Sequence, residues 1–305
     1  MHNESMKKKT ILFFHLHMKP GGVERQLYYL VNGLAKHHHV TLLLCEKKGE
    51  FLEFIDHDIY VEGLGVPYKH RLQLKLFFGL ISRVLKEKPD FLVSFHGKLH
   101  WISVLAARLT GINVTCVFPG YMRKGLLWIA HNLILRMSDG LVAVSQSVKN
   151  SMMENFKLKS DEITVIENAI DINRVMEMSE ESMTEKEGGY FKGRSVVISI
   201  GRLVHGKGFN VIIDALSKMG NDCLLLIVGD GPERKNLEIQ INSLQLSEKV
   251  VLLGMQQNPY KFLKKACFFV LASESEGLPT VILEAMSLGI PCICAKYLGG
   301  TEGII

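Results

Sequence analysis

VVISIGRLVHGKGFNVIIDAL, residues 196–216, is the stretch from which the fold is read. Val196–Ile200 is apolar but for Ser199, too short for a helix and without polar alternation, which suits a strand covered on both faces. Gly201–Gly208 then interrupts it with three glycines and two cations, Arg202 and Lys207. A helix is expected over Gly208–Lys218. Strand, glycine-rich loop and helix in that order form the first half of a βαβ unit, whose crossover makes the next strand parallel.

The same alternation continues in both directions. Towards the C-terminus come the strand candidates CLLLIVG (223–229), VVLLG (250–254), CFFVLA (267–272) and PCICA (291–295), with helices such as Glu233–Leu244 between them. Towards the N-terminus lie TILFFHL (10–16), VTLLLC (40–45), DFLVSF (90–95), VTCVF (114–118), GLVAVS (140–145) and ITVIEN (163–168). A helix from Val23 to Lys36 presents Leu27, Leu30, Val31 and Leu34 at helical spacing. Residues 177–193, EMSEESMTEKEGGYFKG, break the rhythm with polar residues and no apolar period. The expected architecture is therefore α/β: two Rossmann-like, doubly wound parallel-sheet domains, 1–178 and 194–305, joined by a linker at 179–193. Ligands of such sheets bind beyond the carboxyl ends of the strands.

Bulk properties exclude other classes. With 47% hydrophobic and 22% charged residues, the chain is neither disordered nor fibrous. No run approaches 18 apolar residues, so no spanning helix is expected. Lys7-Lys8-Lys9 before TILFF mimics a signal peptide, but His15 and His17 break the apolar run and no small-residue cleavage site follows. The net charge of +5 resides wholly in residues 1–180, and 181–305 is neutral. A basic front half suits an anionic partner such as a membrane surface or lipid phosphate, and no nucleic acid partner is expected. The six cysteines form no Cys-x-x-Cys pair, so buried reduced thiols and a cytoplasmic location are expected. His37–His39 falls in a helix-to-strand turn, where solvated imidazoles are expected rather than a metal site.

Three constellations carry chemistry. In Gly201–Phe209, Arg202 and Lys207 stand five residues apart before a helix, where an Arg fork, a Lys point charge and helix amides suit a diphosphate without metal. The segment is neither a Walker loop nor a G-x-G-x-x-G fingerprint, so a nicotinamide cofactor has no support. In SESEGLPTVILE (273–284), Pro279 suits a first helical turn and Gly289 a stop. Glu276 then lies in a loop and Glu284 on a short helix over 279–288, two acceptors for different hydroxyls of an extended ligand. Gly21-Gly22-Val23-Glu24 is the third, a strand-to-helix turn whose paired glycines admit an anion or simply a tight bend.

Taken in order, GGVE (21–24), VAVSQSVKN (142–150), VIENAID (165–171), SIGRLVHGKG (199–208), VGDGPER (228–234) and SESEGLPTVILEAMSLGIP (273–291) resemble glycosyltransferase family four, the group 1 retaining enzymes of the GT-B fold. The resemblance runs from about residue 8 to the end. It implies transfer of a sugar from a nucleotide-diphosphate sugar, UDP- or GDP-linked, to a glycan or lipid-linked acceptor hydroxyl in bacterial cell-surface polysaccharide synthesis, with no metal or other cofactor. By the same resemblance Arg202 and Lys207 bind the diphosphate, Glu284 the ribose, and Glu276 the donor sugar. The amides of Gly277, Leu278, Pro279 and Thr280 assist; proline, lacking an N–H, contributes none of its own. Gly21 and Gly22 approach the reacting phosphate or acceptor, and GGTE (299–302) closes over the phosphate. SFHGKLHW (94–101) offers His96 first and His100 second as the catalytic-site histidine. Competing expectations are a catalytically impaired GT-B remnant acting as a binding module and a sugar-nucleotide epimerase. Basic amphipathic stretches at Tyr68–Lys88 and Met122–Met137 are expected for the most part to pack an apolar face on the sheet, with peripheral contact with an anionic membrane as the other reading. Family members continue beyond the position matching Ile305, so the second domain is expected to lack its final strand and helices.

Overall fold

The structure, a computed structural model, describes residues 7–120, 128–219 and 223–296. The chain divides into two compact units, Met1–Asn168 and Ala169–Ile305. In the first, β1 (Thr10–His15), α1 (Gly22–Ala35), β2 (His39–Leu44), β3 (Tyr60–Gly63), α2 (Gln73–Glu87) and β4 (Phe91–Ser94) come in that order. They are followed by α3 (His100–Thr110), β5 (Asn113–Phe118), α4 (Trp128–Leu135), β6 (Gly140–Ala143), α5 (Gln146–Phe156) and β7 (Ile163–Val165). The strands form one parallel sheet in the order β3-β2-β1-β4-β5-β6-β7. β1 is central: Ile11 stands opposite Val40 on one side and Phe91 on the other. Leu12, Phe13 and Phe14 are accordingly all buried, because a strand with helices on both faces has no wet side.

The sequence reading passed over β3. Its residues, YVEG, carry no apolar period, and Tyr60 is exposed because the strand is the edge of the sheet. Its position comes from pairing with β2, which a local pattern does not encode.

The second unit holds α6 (Ile172–Ser179), α7 (Glu185–Gly189), β8 (Ser195–Ile200), α8 (Phe209–Ser217), β9 (Cys223–Val228) and α9 (Arg234–Ser243). It continues with β10 (Val250–Gly254), α10 (Tyr260–Leu263), β11 (Phe268–Leu271), α11 (Thr280–Ser287) and β12 (Cys292–Cys294). The sheet is again parallel, in the order β10-β9-β8-β11-β12. Two cores flank it. Val196, Ile198, Leu224, Leu226, Phe262 and Phe269 join one, while Val197, Leu225, Ile227, Phe209 and Ile213 join the other. Val196 and Ile198 thus serve the core opposite to that of Val197, which explains three consecutive apolar residues in β8.

Contacts divide the chain between Asn168 and Ala169, ahead of the expected boundary at 178. Residues 179–193, expected as a linker, instead dock onto the second unit. Met178, Met183, Tyr190 and Phe191 pack against its core, and Thr184 and Glu187 close a capping box on α7. Lys261 pairs with Glu187 at 3.0 Å, Lys264 pairs with Glu180, and Asn258 donates to the Met178 carbonyl at 2.6 Å and to Glu181. A polar sequence concealed an anchored segment because its anchors are ion pairs and a few spaced side chains rather than a periodic face.

The cysteines also differ in part from expectation. Cys45 and Cys116 are buried, but Cys267 is exposed and Cys223, Cys292 and Cys294 are only partly covered; all six are free. Among the described residues no helix is long and apolar enough to cross a membrane.

In each sheet the strand order reverses once, between β1 and β4 in the first unit and between β8 and β11 in the second. The loops leaving the paired strand ends run to opposite faces there and open a crevice.

Asn258 is nearly buried, and its amide oxygen also accepts from the Tyr260 N–H at 3.0 Å. Asn258→Ala is expected to destabilise the second unit by about 2–3 kcal/mol, by loss of several buried hydrogen bonds. Urea unfolding followed by residue-resolved amide exchange checks this: α6 and α7 should lose protection first.

Candidate functional site

At the β8/β11 reversal, two loops interlock through their backbones. The Gly201 N–H donates to the Val228 carbonyl at 2.9 Å and the Leu203 N–H to the Asp230 carbonyl at 2.9 Å, tying the first loop to the end of β9. The Glu274 N–H donates to the Gly206 carbonyl at 2.8 Å, tying it to the loop after β11. Gly208 starts α8 with φ +72°, and a Cβ there would lie 1.9 Å from the Ala272 carbonyl oxygen. Neither the backbone angle nor the space accepts another residue, so the glycine sets how closely the two loops approach.

This approach brings two of the expected groups together. Lys207 Nζ bonds to Glu276 Oε1, and Ser273 Oγ donates to the same oxygen at 2.7 Å. Both charged side chains are only partly exposed, and Ser273 is buried. Arg202 projects into solvent, and Leu203 after it is fully buried, pinning the loop between its two cations. The helix expected over 279–288 is α11, Thr280–Ser287, ending before Gly289 at φ +71°. Glu276 lies in the preceding loop, and Glu284, 2% exposed, sits inside the helix as the spacing required. Leu278 and Thr280 are buried at the helix entrance, with Gly277 and Pro279 beside them. The structure thus joins Lys207, Glu276 and Ser273 directly, with Arg202 exposed on the first loop and Glu284 buried within α11. Ser273, quoted in the motif but given no role, is a residue sequence reasoning missed. GGTE (299–302) lies outside the described residues, as does part of the Met122–Met137 stretch.

The first unit holds a separate constellation at its own reversal, β1/β4. His15 ends β1 completely buried, and its Nε2 lies 3.5 Å from Glu24 Oε1. His17 Nδ1 is 3.8 Å from the same oxygen. Glu24 sits in the first turn of α1, and a Cβ on Gly21 would meet its Oε2 at 2.4 Å. Gly21 therefore leaves room for this carboxylate, whereas a Cβ on Gly22 would meet nothing within 4 Å. Burial acts to raise the Glu24 carboxyl, but hydrogen bonding and charge from His15, with its own N–H, outweigh it and hold it below the usual carboxylate range.

His96 follows β4, its ring centroid 5.6 Å from that of His15. Burial first, then electrostatic opposition from His15 and Lys98, pushes its imidazole down to about 4. Its Nδ1 accepts from the Lys98 N–H at 3.2 Å. A neutral imidazole whose Nδ1 accepts carries its proton on Nε2, so His96 offers an N–H donor rather than a lone pair. Burial likewise lowers His17. His100, the second candidate, is buried in α3 with Nδ1 2.8 Å from Ser94 Oγ and its ring 4.6 Å from Phe118. It braces the loop that carries His96. Sequence reasoning missed His15 and Glu24 as partners; the signal was a histidine directly after the apolar run Ile11–Phe14. His38 accepts from the Lys9 N–H, and among the described residues no group of three or more His, Cys, Asp or Glu is placed to hold a metal ion.

Residues 20–174 match the family described as Glycosyltransferase Family 4, and 182–305 match that described as Glycosyl transferases group 1. The chain is 28% identical over 255 residues to an uncharacterised glycosyltransferase of Methanocaldococcus jannaschii, covering 76% of this chain and 62% of that one. It is 25% identical over 314 residues to the N-acetylgalactosamine-N,N'-diacetylbacillosaminyl-diphospho-undecaprenol 4-alpha-N-acetylgalactosaminyltransferase of Campylobacter jejuni, covering 97% and 83%. An Escherichia coli UDP-Gal:alpha-D-GlcNAc-diphosphoundecaprenol alpha-1,3-galactosyltransferase is 25% identical, with 93% and 79% covered. Among solved structures, Anabaena HepE in complex with UDP and glucose superposes with a TM-score of 0.80 at 22% identity, covering 97% of this chain and 83% of that one. WaaG, a glycosyltransferase involved in lipopolysaccharide biosynthesis, superposes at 0.76 and 16%, covering 96% and 83%.

A histidine whose folded-state value lies near 4, against 6.5 when unperturbed, binds its proton preferentially in the unfolded chain. Stability is therefore full above about pH 6.5 and declines as pH falls towards 4, by about 2 kcal/mol after allowing for partial exposure. In His96→Asn this part of the decline should vanish, as measured by urea unfolding at pH 7 and pH 4.5.

Proposed function

The chain belongs to glycosyltransferase family 4, with the two parallel-sheet units of the GT-B fold, and on that premise we propose that it is a retaining glycosyltransferase using a nucleotide-diphosphate sugar. The observation that carries this reading is the β8/β11 cradle: Arg202 and Lys207 with the helix α11 entrance, flanked by Glu276 and Glu284. Two fixed cations and helix amides suit the charge that builds up on a departing diphosphate. Each charge-assisted hydrogen bond contributes about 1.5–3 kcal/mol. In the reaction the bond from the anomeric carbon to the diphosphate oxygen breaks and one to the acceptor oxygen forms on the same face. The acceptor's hydroxyl proton leaves with the diphosphate oxygen, which the cations keep a weak base.

Lys207 reaches the donor by exchanging Glu276 for a phosphate oxygen, which frees that carboxylate to accept from a sugar hydroxyl. Glu284, on a rigid buried helix, accepts from the ribose hydroxyls. His96, neutral and protonated on Nε2, donates to a substrate oxygen rather than removing a proton. Arg202 and Lys207 take the part that a divalent metal plays elsewhere. A UDP-sugar is favoured over a GDP-sugar because the Escherichia coli relative is named for UDP-Gal and HepE was solved with UDP and glucose. A diphosphate-lipid-linked glycan is the proposed acceptor, since two relatives act on diphosphoundecaprenol-linked sugars by their names. The role is bacterial cell-surface polysaccharide synthesis from the cytoplasmic side. On α2, Leu76, Leu80 and Val84 face the core, while Leu74, Phe78 and Leu85 remain exposed beside Lys75 and Lys86. That outer face suits peripheral contact with an anionic bilayer carrying the acceptor.

Arg202→Ala and Glu284→Ala are each expected to lower kcat/KM for transfer by about 100-fold or more while leaving the melting curve intact. Transfer should persist in excess chelator, and the anomeric product should keep the donor's configuration by NMR. An active Arg202→Ala enzyme would refute the diphosphate assignment. Flotation of the full chain with anionic vesicles, reduced in Leu74→Ser/Phe78→Ser and absent with neutral vesicles, checks the membrane contact.

A further inference from the structure

One group of side chains remains outside the roles assigned so far. His15 is fully buried at the end of β1, where Ile11, Leu12, Phe13 and Phe14 before it are apolar and serve the core. A histidine in that position has to satisfy two ring nitrogens away from water. Nε2 finds Glu24 Oε1 at 3.5 Å, and Nδ1 has no hydrogen-bond partner among the described residues. Glu24 reaches back to it because residue 21 has no side chain: a Cβ there would stand 2.4 Å from Oε2. The His15 ring in turn lies 5.6 Å from the ring of His96, tilted by 56°, and 6.3 Å edge-on to Phe95. A strand end, a helix start and a loop thus converge at the one reversal point of the first sheet.

We propose that Glu24 and His15 form a positioning pair for His96. The Glu24 carboxylate fixes the orientation and tautomer of His15, and the His15 ring holds His96 as a neutral donor. This deepens the transferase reading and rests on it for the part played by His96 in turnover. An ionised carboxylate only accepts, so Nε2 of His15 carries a proton and Nδ1 presents its lone pair when the ring is neutral. A proton added to His96 would face His15 across the 5.6 Å ring contact, along with His17 beyond β1 and Lys98 on its own loop, with the Glu24 carboxylate acting in the opposite sense. Three cationic or potentially cationic groups against one carboxylate keep His96 uncharged, and burial adds to that. The Lys98 amide fixes Nδ1, and the His15 ring packs 5.6 Å from the ring that carries the remaining N–H.

The test follows ring titration and turnover in the full-length chain. In His15→Phe, which keeps an aromatic ring at the contact, the His96 ring signals in 15N-detected NMR should titrate about one unit higher, because a repelling neighbour is gone. In Glu24→Gln, the His15 15N signals should leave the Nε2-protonated pattern. With a nucleotide sugar and acceptor, each variant should lower kcat by about tenfold with donor KM within about twofold, and the double variant should be no worse than His15→Phe alone. Gly21→Ala should reproduce Glu24→Gln by displacing the carboxylate. An unmoved His96 titration in folded His15→Phe, or additive losses in the double variant, overturns the proposal. Should His15→Phe fail to fold, unchanged histidine signals in Glu24→Gln overturn it. The titration needs no turnover, so a chain without transferase activity would still decide the pairing and would refute only the transferase reading.

Discussion

Parallel strands impose the constraint on which both units depend. A sheet whose strands all run one way must cover both faces with helices, and successive crossovers on opposite faces leave one place where the strand order reverses. There the loops from two neighbouring strand ends diverge, and backbone amides and side chains lie beside each other without a helix packed over them. The first unit reverses between β1 and β4 and the second between β8 and β11. Every polar group given a chemical role in this protein stands on an element that leaves one of those four strands.

The close approach of backbone to backbone at these points has to be permitted by the sequence. Gly208 lies under the Ala272 carbonyl, and Gly21 lies under the Glu24 carboxylate. In both cases the missing side chain leaves space for a specific neighbour rather than a flexible hinge. Both sites also bring their charged groups against polar partners. Lys207 pairs with Glu276, and the Glu24 carboxylate lies 3.5 Å from His15 and 3.8 Å from His17. Partly covered ions without partners would carry a large desolvation penalty, and pairing removes most of it while keeping the groups available for exchange with a ligand.

Much of the second unit was legible because its signals are local. The apolar-rich β8 and the solid apolar run of β9, the glycine-rich loop between β8 and α8, and Pro279 and Gly289 around α11 each state their conformation within a few residues. The same holds for the separation of Glu276 from Glu284 onto loop and helix. Less was legible where a partner distant in the chain decides the outcome. Edge strand β3 depends on β2 for its register, and the segment 179–193 depends on Asn258, Lys261 and Lys264 for its docking. His15 shows the limit most clearly, since a histidine closing an apolar strand reads as a break in the pattern until α1 and β4 are placed around it.

Residue order alone therefore determined the alternation of strand and helix, the parallel sense of both sheets and the identity of the loops bearing cations, carboxylates and glycines. Those features follow from hydrophobic period and backbone freedom, which act over a few neighbouring residues. Only the tertiary structure decided that Lys207 meets Glu276, that Ser273 braces it, and that His96 presents a proton rather than a lone pair. Distances between groups up to 81 positions apart, such as His15 and His96, are set by strand order and core packing. Burial and neighbouring charge at those distances are what give a side chain its protonation state.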